Sequence, residues 1–182
     1  MISTRAEILD ALRDAERTTV AYWNAFPLEE FFAQIGEAWS PAENVRHLTK
    51  SIPPVAKALT TPRLILRVMF GNPRRASVSL DDLVARYRKL LDEGGKAGRF
   101  SPSAHTESDL AAWRAKIMSD HHIAQEQLRA SIERWPDAKL DRYQLPHPLL
   151  GKLTIREMLL FTLYHEGHHV EVVKRRKAGT AA

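Results

Sequence analysis

The 182-residue sequence contains no cysteine. A disulfide framework and a thiolate metal ligand are therefore both excluded, so imidazole and carboxylate groups must hold any metal ion. No apolar run approaches the length of a membrane-spanning helix, and the first residues contain no apolar leader segment. These absences predict a soluble, cytoplasmic protein with no membrane partner.

The sequence also lacks internal repeats, low-complexity tracts and alternating strand patterns. Its length predicts one domain over residues 1–182, large enough to bury a core. The net charge of +5 does not predict nucleic-acid binding, because most basic residues are interspersed with acidic ones. The dense cationic run at 174–177 closes a helix, where cations stabilise the helix dipole.

Helical spacing of apolar residues predicts four long helices, over residues 4–26, 40–59, 108–135 and 154–178. Pro53 and Pro54 should kink or split the second helix, because each lacks an amide donor. Residues 61–107 are expected to add two short helices, ending near Phe70 and Glu93, and then a mobile loop. Residues 136–153 are expected to form a loop punctuated by prolines. The pattern predicts an all-α four-helix bundle with a helical insertion between helices 2 and 3.

The last predicted helix contains the sequence His165-Glu166-Gly167-His168-His169. His165, Glu166 and His169 fall on its apolar stripe, whereas His168 points away. Two imidazoles one turn apart on a buried face can share a metal ion. The letters match the zincin protease motif, but no histidine follows His169 and Glu171 lies on the same helix. A protease is therefore not favoured, and a third ligand must come from upstream.

Five upstream histidines are candidates for that third ligand: His47, His105, His121, His122 and His147. His105 lies in the predicted loop, His122 faces outward and His147 stands between two prolines. His121 faces inward, although a hydrogen-bonded core histidine is an equal interpretation. His47 lies near a capped helix start beside the apolar stripe. Spacing alone places His47 slightly ahead of His121 as the third ligand, but the difference is too small to choose between them.

Three parts of the sequence resemble the DinB-like superfamily of bacterial four-helix proteins. They are residues 39–48, which begin Trp-Ser-Pro-Ala-Glu, residues 147–151, and the final His165/His169 pair. The resemblance implies an up-down-down-up four-helix bundle. It further implies one divalent metal ion held by His47, His165 and His169. The insertion at residues 61–107 is longer than the corresponding segment expected in the family core. The resemblance therefore does not specify the shape of the pocket or the substrate.

Three neutral imidazoles leave a fourth coordination position open, as in catalytic rather than structural metal sites. Zinc, nickel, iron and manganese all accept imidazole, so the ligands do not identify the ion. Glu166 is the predicted catalytic residue, as a base or as a group that orients a ligand. The alternative for Glu166 is a hydrogen-bonded structural carboxylate.

The family is similar to thiol-dependent S-transferases, to a mycothiol-dependent isomerase and to metal-dependent hydrolases, so the resemblance does not fix one reaction. An open metal site in a long hydrophobic bundle suits an apolar electrophile, which favours a metal-dependent thiol S-transferase that uses a low-molecular-weight thiol of the bacillithiol or mycothiol type on a small-molecule substrate. One alternative is a metal-dependent hydrolase of an amide or ester. The other is a non-catalytic, stress-related binding module. Members of the family are often dimers, so a homodimer is one alternative for the oligomeric state.

Overall fold

A computed structural model describes residue 2, residues 4–103 and residues 107–180. Its helices are α1 Arg5–Asn24, α2 Leu28–Phe32, α3 Pro41–Thr60, α4 Arg63–Phe70, α5 Leu80–Asp92, α6 Leu110–Glu133 and α7 Ile155–Thr180. Two short 3-10 turns form at Gly98–Phe100 and Asp137–Lys139. No helix in the described ranges combines the length and apolar character needed to cross a bilayer.

The long helices begin where the sequence predicts. Ser40 accepts a hydrogen bond from the backbone of Glu43, whose carboxylate accepts one from the Ser40 amide, completing a capping box for α3. Thr154 and Glu157 form the same reciprocal pair at the start of α7. α3 is continuous through its two internal prolines, so the expected split does not occur. Both prolines are exposed, so water can bond the carbonyls that lose a donor.

Helices α3 and α6 run parallel. Near their starts, the Arg46 guanidinium lies 5.5 Å from the centre of the Trp113 ring. Near their ends, the Trp135 indole donates a 2.8 Å hydrogen bond to the Leu59 carbonyl. Helix α7 runs antiparallel to α3, since its later residues lie beside the start of α3.

Helices α1 and α7 run parallel, because their ends lie together. Lys174 lies over the ring of Tyr22 and Lys177 lies over that of Phe26. With α3 and α6 both opposite in direction to α7, the order is up-down-down-up. The predicted four-helix bundle is confirmed, with α4 and α5 as the insertion between α3 and α6.

A β-hairpin occupies part of the segment predicted as a loop. β1 Gln144–His147 pairs antiparallel with β2 Gly151–Thr154, from Gln144 opposite Thr154 to His147 opposite Gly151. The prediction that residues 136–153 form only a loop is therefore wrong for these two strands. Strands of four residues are too short to show a clear alternating pattern. The turn depends on Gly151, which adopts a φ of 75° that favours glycine.

Candidate metal centre

Three buried histidines converge between α3 and α7. The Nε2 atom of His165 lies 3.2 Å from that of His47 and 3.1 Å from that of His169. All three ligand atoms lie within 4.8 Å of one another. Zinc bonded tetrahedrally to nitrogens at about 2.0–2.1 Å holds them about 3.3 Å apart. The three rings therefore have the spacing that a single cation needs.

Two local features and one tertiary feature produce this convergence. The cap at Ser40 starts α3 and places His47 two turns into the helix. The four-residue spacing of His165 and His169 places both rings on one face of α7. The antiparallel packing of α3 on α7 then brings the first ring to the other two.

Hydrogen bonds fix which ring nitrogen faces the centre. The Nδ1 of His47 lies 3.0 Å from the carbonyl oxygen of Phe100, which can only accept, so this Nδ1 carries the proton. The Nδ1 of His169 lies 2.7 Å from Oδ1 of Asn44, whose amide group donates to the Ser40 carbonyl at 2.8 Å. Both rings therefore turn an unprotonated Nε2 toward the centre, as metal-binding histidines do.

The three inward nitrogens cannot all satisfy one another. The Nε2 of His165 carries at most one proton and can donate to only one of its two neighbours, so at least one neighbouring Nε2 lone pair has no donor. Burial lowers the pKa of His47, and it lowers the pKa of His165 and His169 well below the ordinary value, with the charges of neighbouring histidines adding to the effect. Protonation is thus disfavoured, and a divalent ion is the positive charge that fits these donors. Their assignment as ligands stays a prediction.

A cavity of about 720 Å³ opens beside the three rings. Its walls come from α3, α7, the hairpin and the insertion. The insertion and the segment after it contribute Phe70, Tyr87, Leu91, Lys96, Ala97, Arg99 and Phe100. The shape of the pocket is therefore set in part by segments that the four-helix pattern does not describe.

The family model of the DinB superfamily matches residues 11–173. The chain belongs to the DinB superfamily. None of the curated proteins compared with it matches. A solved structure similar to it is TT2238, described as a four-helix bundle protein, at 17% identity and a TM-score of 0.59. That likeness covers 94% of this chain and 99% of the other, and it shows the fold.

In this DinB-superfamily chain, Glu166 faces α6 rather than the three rings. Its Oε1 accepts a 2.8 Å hydrogen bond from Gln125, and its Oε2 lies 3.3 Å from Nε2 of His121. Glu166 is not among the described residues that line the cavity. This placement favours the alternative of a hydrogen-bonded structural carboxylate, and its role at a reaction centre stays a prediction.

His121 lies outside the group of three. Its Nδ1 lies 3.1 Å from Oγ1 of Thr49, and its ring is fully buried. Burial by itself would lower the pKa of His121, but the charge and hydrogen bonding of Glu166 raise it above its ordinary value. His121 and Glu166 therefore form a buried pair that joins α6 to α7.

The remaining candidates for the third metal ligand were His147, His122 and His105. Of these, the described His147 and His122 lie outside the group of three buried histidines. His147 accepts hydrogen bonds at Nδ1 from the amides of Leu149 and Leu150, so that nitrogen holds the hairpin turn. Burial lowers the pKa of His147 to about 4, and its ring lines the cavity. His122 is exposed, as predicted. His105 lies outside the described residues.

His168 was expected to point away from the site, yet its half-buried ring lines the cavity. The reason is α5, which packs on this side of α7 and places Tyr87 with its ring centre 5.6 Å from that of His168. The Nδ1 of His168 lies 3.1 Å from the hydroxyl of Tyr164, which accepts from Nε of Arg88 at 3.4 Å. The four-residue spacing of the tyrosine and the histidine is the sequence signal that could have found this pair.

Proposed function

We propose that this protein is a metal-dependent enzyme, a thiol S-transferase that uses a low-molecular-weight thiol of the bacillithiol or mycothiol type. The observation that supports it is the convergence of three neutral imidazoles on the wall of a cavity large enough for a small molecule. A divalent ion held there would supply Lewis-acid chemistry that favours the thiolate form of a sulfur ligand. As part of the same proposal, residues 1–182 form one domain and the protein acts in the cytoplasm.

The residues of the site have separate roles in this proposal. His47, His165 and His169 hold the ion. The carbonyl of Phe100 and the amide of Asn44 keep two of these rings in the tautomer that presents Nε2. Because both oxygens accept a hydrogen bond from Nδ1–H, they also make the rings better electron donors to a metal ion.

The cavity wall favours transfer to an apolar electrophile over hydrolysis. Away from the histidines and the charged side chains near them, the wall includes aromatic and aliphatic side chains such as Phe161, Met158 and Leu149. Such a surface binds an apolar group and excludes water from the sulfur that attacks it. His168 lines the cavity on this side of α7 and can hydrogen-bond a polar group on the substrate, and its Nδ1 lies 3.1 Å from the hydroxyl of Tyr164.

The cobalt-substituted protein provides the test. Titration with a small thiol should produce a saturable sulfur-to-cobalt charge-transfer absorption band. The His169→Ala variant should lose the band, whereas His122→Ala, which changes an exposed histidine, should retain it. If no band forms and chelator-sensitive ester hydrolysis is found instead, the hydrolase replaces this proposal. If the metal binds with neither property, the protein is a binding module.

A further inference from the structure

The cavity continues far beyond the three histidines. On α3 its lining runs from His47 to Ala58, and on α7 it runs from His169 back to Met158. The two ends of each stretch are eleven residue steps apart, which corresponds to about 16 Å of helix. Because α3 and α7 are antiparallel, both stretches lead away from the histidines in the same direction.

The far part of the cavity is apolar. We call it the apolar limb and define it by Val55, Ala58, Phe70, Leu145 and Met158, which all line the cavity. These side chains belong to or pack against one hydrophobic core cluster. The limb therefore offers a ligand dispersion contacts and removal from water along its length.

The end that holds the three histidines carries positive charge. Arg175 and Arg176 follow His169 on α7, and both line the cavity at this end. Arg99 directly precedes the residue whose carbonyl holds His47. The described lining contains the cations Lys96, Arg99, Arg175 and Arg176 and the single carboxylate Glu37.

We infer that the ligand of this cavity is an amphiphile, with a compact anionic group beside the histidines and an extended apolar chain in the limb. The inference rests on the proposed function for the metal ion at the charged end. A divalent ion held by neutral imidazoles adds two positive charges to those of the arginines, so an anionic group is the complementary partner. The apolar chain is accommodated by a limb that has no charged side chain among its five defining residues.

Straight-chain carboxylates from butyrate to tetradecanoate, titrated into the zinc-loaded protein by calorimetry, test the inference. Affinity should rise about fourfold per added methylene, which corresponds to about 0.8 kcal/mol, until the limb is full. Primary alcohols of equal length should bind more weakly than the carboxylates. Affinity that does not depend on chain length would overturn the inference.

Two groups of variants locate the chain and the anionic group. Ala58→Phe, at the far end of the limb, should end the rise at a shorter chain and leave butyrate binding unchanged. Thr60→Phe adds the same ring at an exposed position of α3 outside the lining and should have no effect. Ala58→Leu repeats the test if Ala58→Phe fails to fold. Arg99→Gln and Arg175→Gln should weaken carboxylates more than alcohols, and equal weakening of both would contradict the charged end.

The outcome separates this inference from the proposed function. Cobalt–thiol absorption without chain-length dependence overturns the inference and leaves the transferase intact. In His169→Ala, which should bind no metal, the dependence on chain length should persist while the preference for carboxylates over alcohols falls. If the wild-type protein proves to bind no metal and its affinity still rises with chain length, the result would support binding of the apolar chain in the limb and would contradict the proposed transferase.

Discussion

Among the residues that the structure describes, two clusters bring three potential metal ligands within 4.8 Å of one another: the buried His47, His165 and His169, and the partly exposed Glu16, His122 and Glu126. In the second cluster a protein cation already occupies the centre. The guanidinium of Arg129 donates to Glu16 and to Glu126, at 2.5 Å each. The Nδ1 of His122 lies 2.8 Å from the other oxygen of Glu16.

The first cluster is arranged in the opposite way. Its ring protons point outward to Phe100 and Asn44, so its acceptor atoms point at one another. The acceptors of these two ring protons are a carbonyl oxygen and an amide oxygen, and neither group is a cation. The comparison teaches that closeness of ligand atoms does not by itself indicate a metal site. The deciding feature is whether the protein has already neutralised those atoms.

The largest expected effect is on metal content. Replacement of His47, His165 or His169 by Ala should reduce bound metal from stoichiometric to near zero, because two imidazoles do not complete the site. His122→Ala and His168→Ala should leave it nearly intact. Elemental analysis of the dialysed proteins measures this. Equal losses in all five variants would mean that the two clusters do not differ as proposed.

Arg129 should dominate the stability of the second cluster. Arg129→Met leaves the Glu16 carboxylate, which is 11% exposed, without its cation and should lower the free energy of unfolding by about 3–5 kcal/mol. Denaturant unfolding measures the change. Arg17→Met, which breaks an exposed pair with Asp14, is the matched control and should cost at most about 1 kcal/mol. A similar small effect for both variants would show that the buried pair is not what holds this cluster.

Asn44 should affect the metal affinity of the first cluster although it is not one of the three proposed ligands. Asn44→Leu removes the acceptor for the Nδ1 proton of His169 and should weaken metal affinity by about 10–100-fold. Competition with a chromophoric chelator measures the affinity. Thr49→Val, which removes a hydroxyl from the same helix on the side of His121, is the control. Unchanged affinity in Asn44→Leu would argue that ring orientation is set by packing alone.

The smallest effect concerns protonation in the second cluster. The hydrogen bond and charge of Arg129 hold the pKa of Glu126 below its ordinary value of 4.5. The pKa of Glu126 is lower in the folded state than in the unfolded state. The pair with Arg129 therefore stabilises the fold at pH values above the ordinary pKa of Glu126, and this effect is lost as pH falls through the folded-state pKa. Glu126 is exposed, so its contribution is small. A carboxyl NMR titration should show the pKa of Glu126 rising in Arg129→Met, and no rise would contradict the assignment.

Features that depend on neighbouring residues were predictable from the sequence. The reciprocal caps at Ser40/Glu43 and Thr154/Glu157 form within three residues, and both helix starts are confirmed. The β-hairpin was missed because its turn depends on the Nδ1 of His147, whose role cannot be read from the residue type. The outward placement of His168 was wrong because α5 covers that side of α7.

The residues of the candidate site also differ in whether the local sequence could predict their roles. The spacing of His165 and His169 is a property of one helix and was evident from the sequence. The third ring was ranked by spacing and chosen by resemblance, because no local pattern distinguishes His47 from His121. Only the packed bundle shows that His121 is already paired with Glu166, whereas His47 lies within 3.2 Å of His165.

The sequence by itself determined where the helices begin, that no thiolate ligand exists, and that two imidazoles share a face of α7. These follow from interactions over three or four residues and from composition. The tertiary structure decided which ring joins that pair, where Glu166 points and how far the cavity extends. Those features link residues as distant as His47 and His165, 118 positions apart, and depend on how whole helices and the insertion pack.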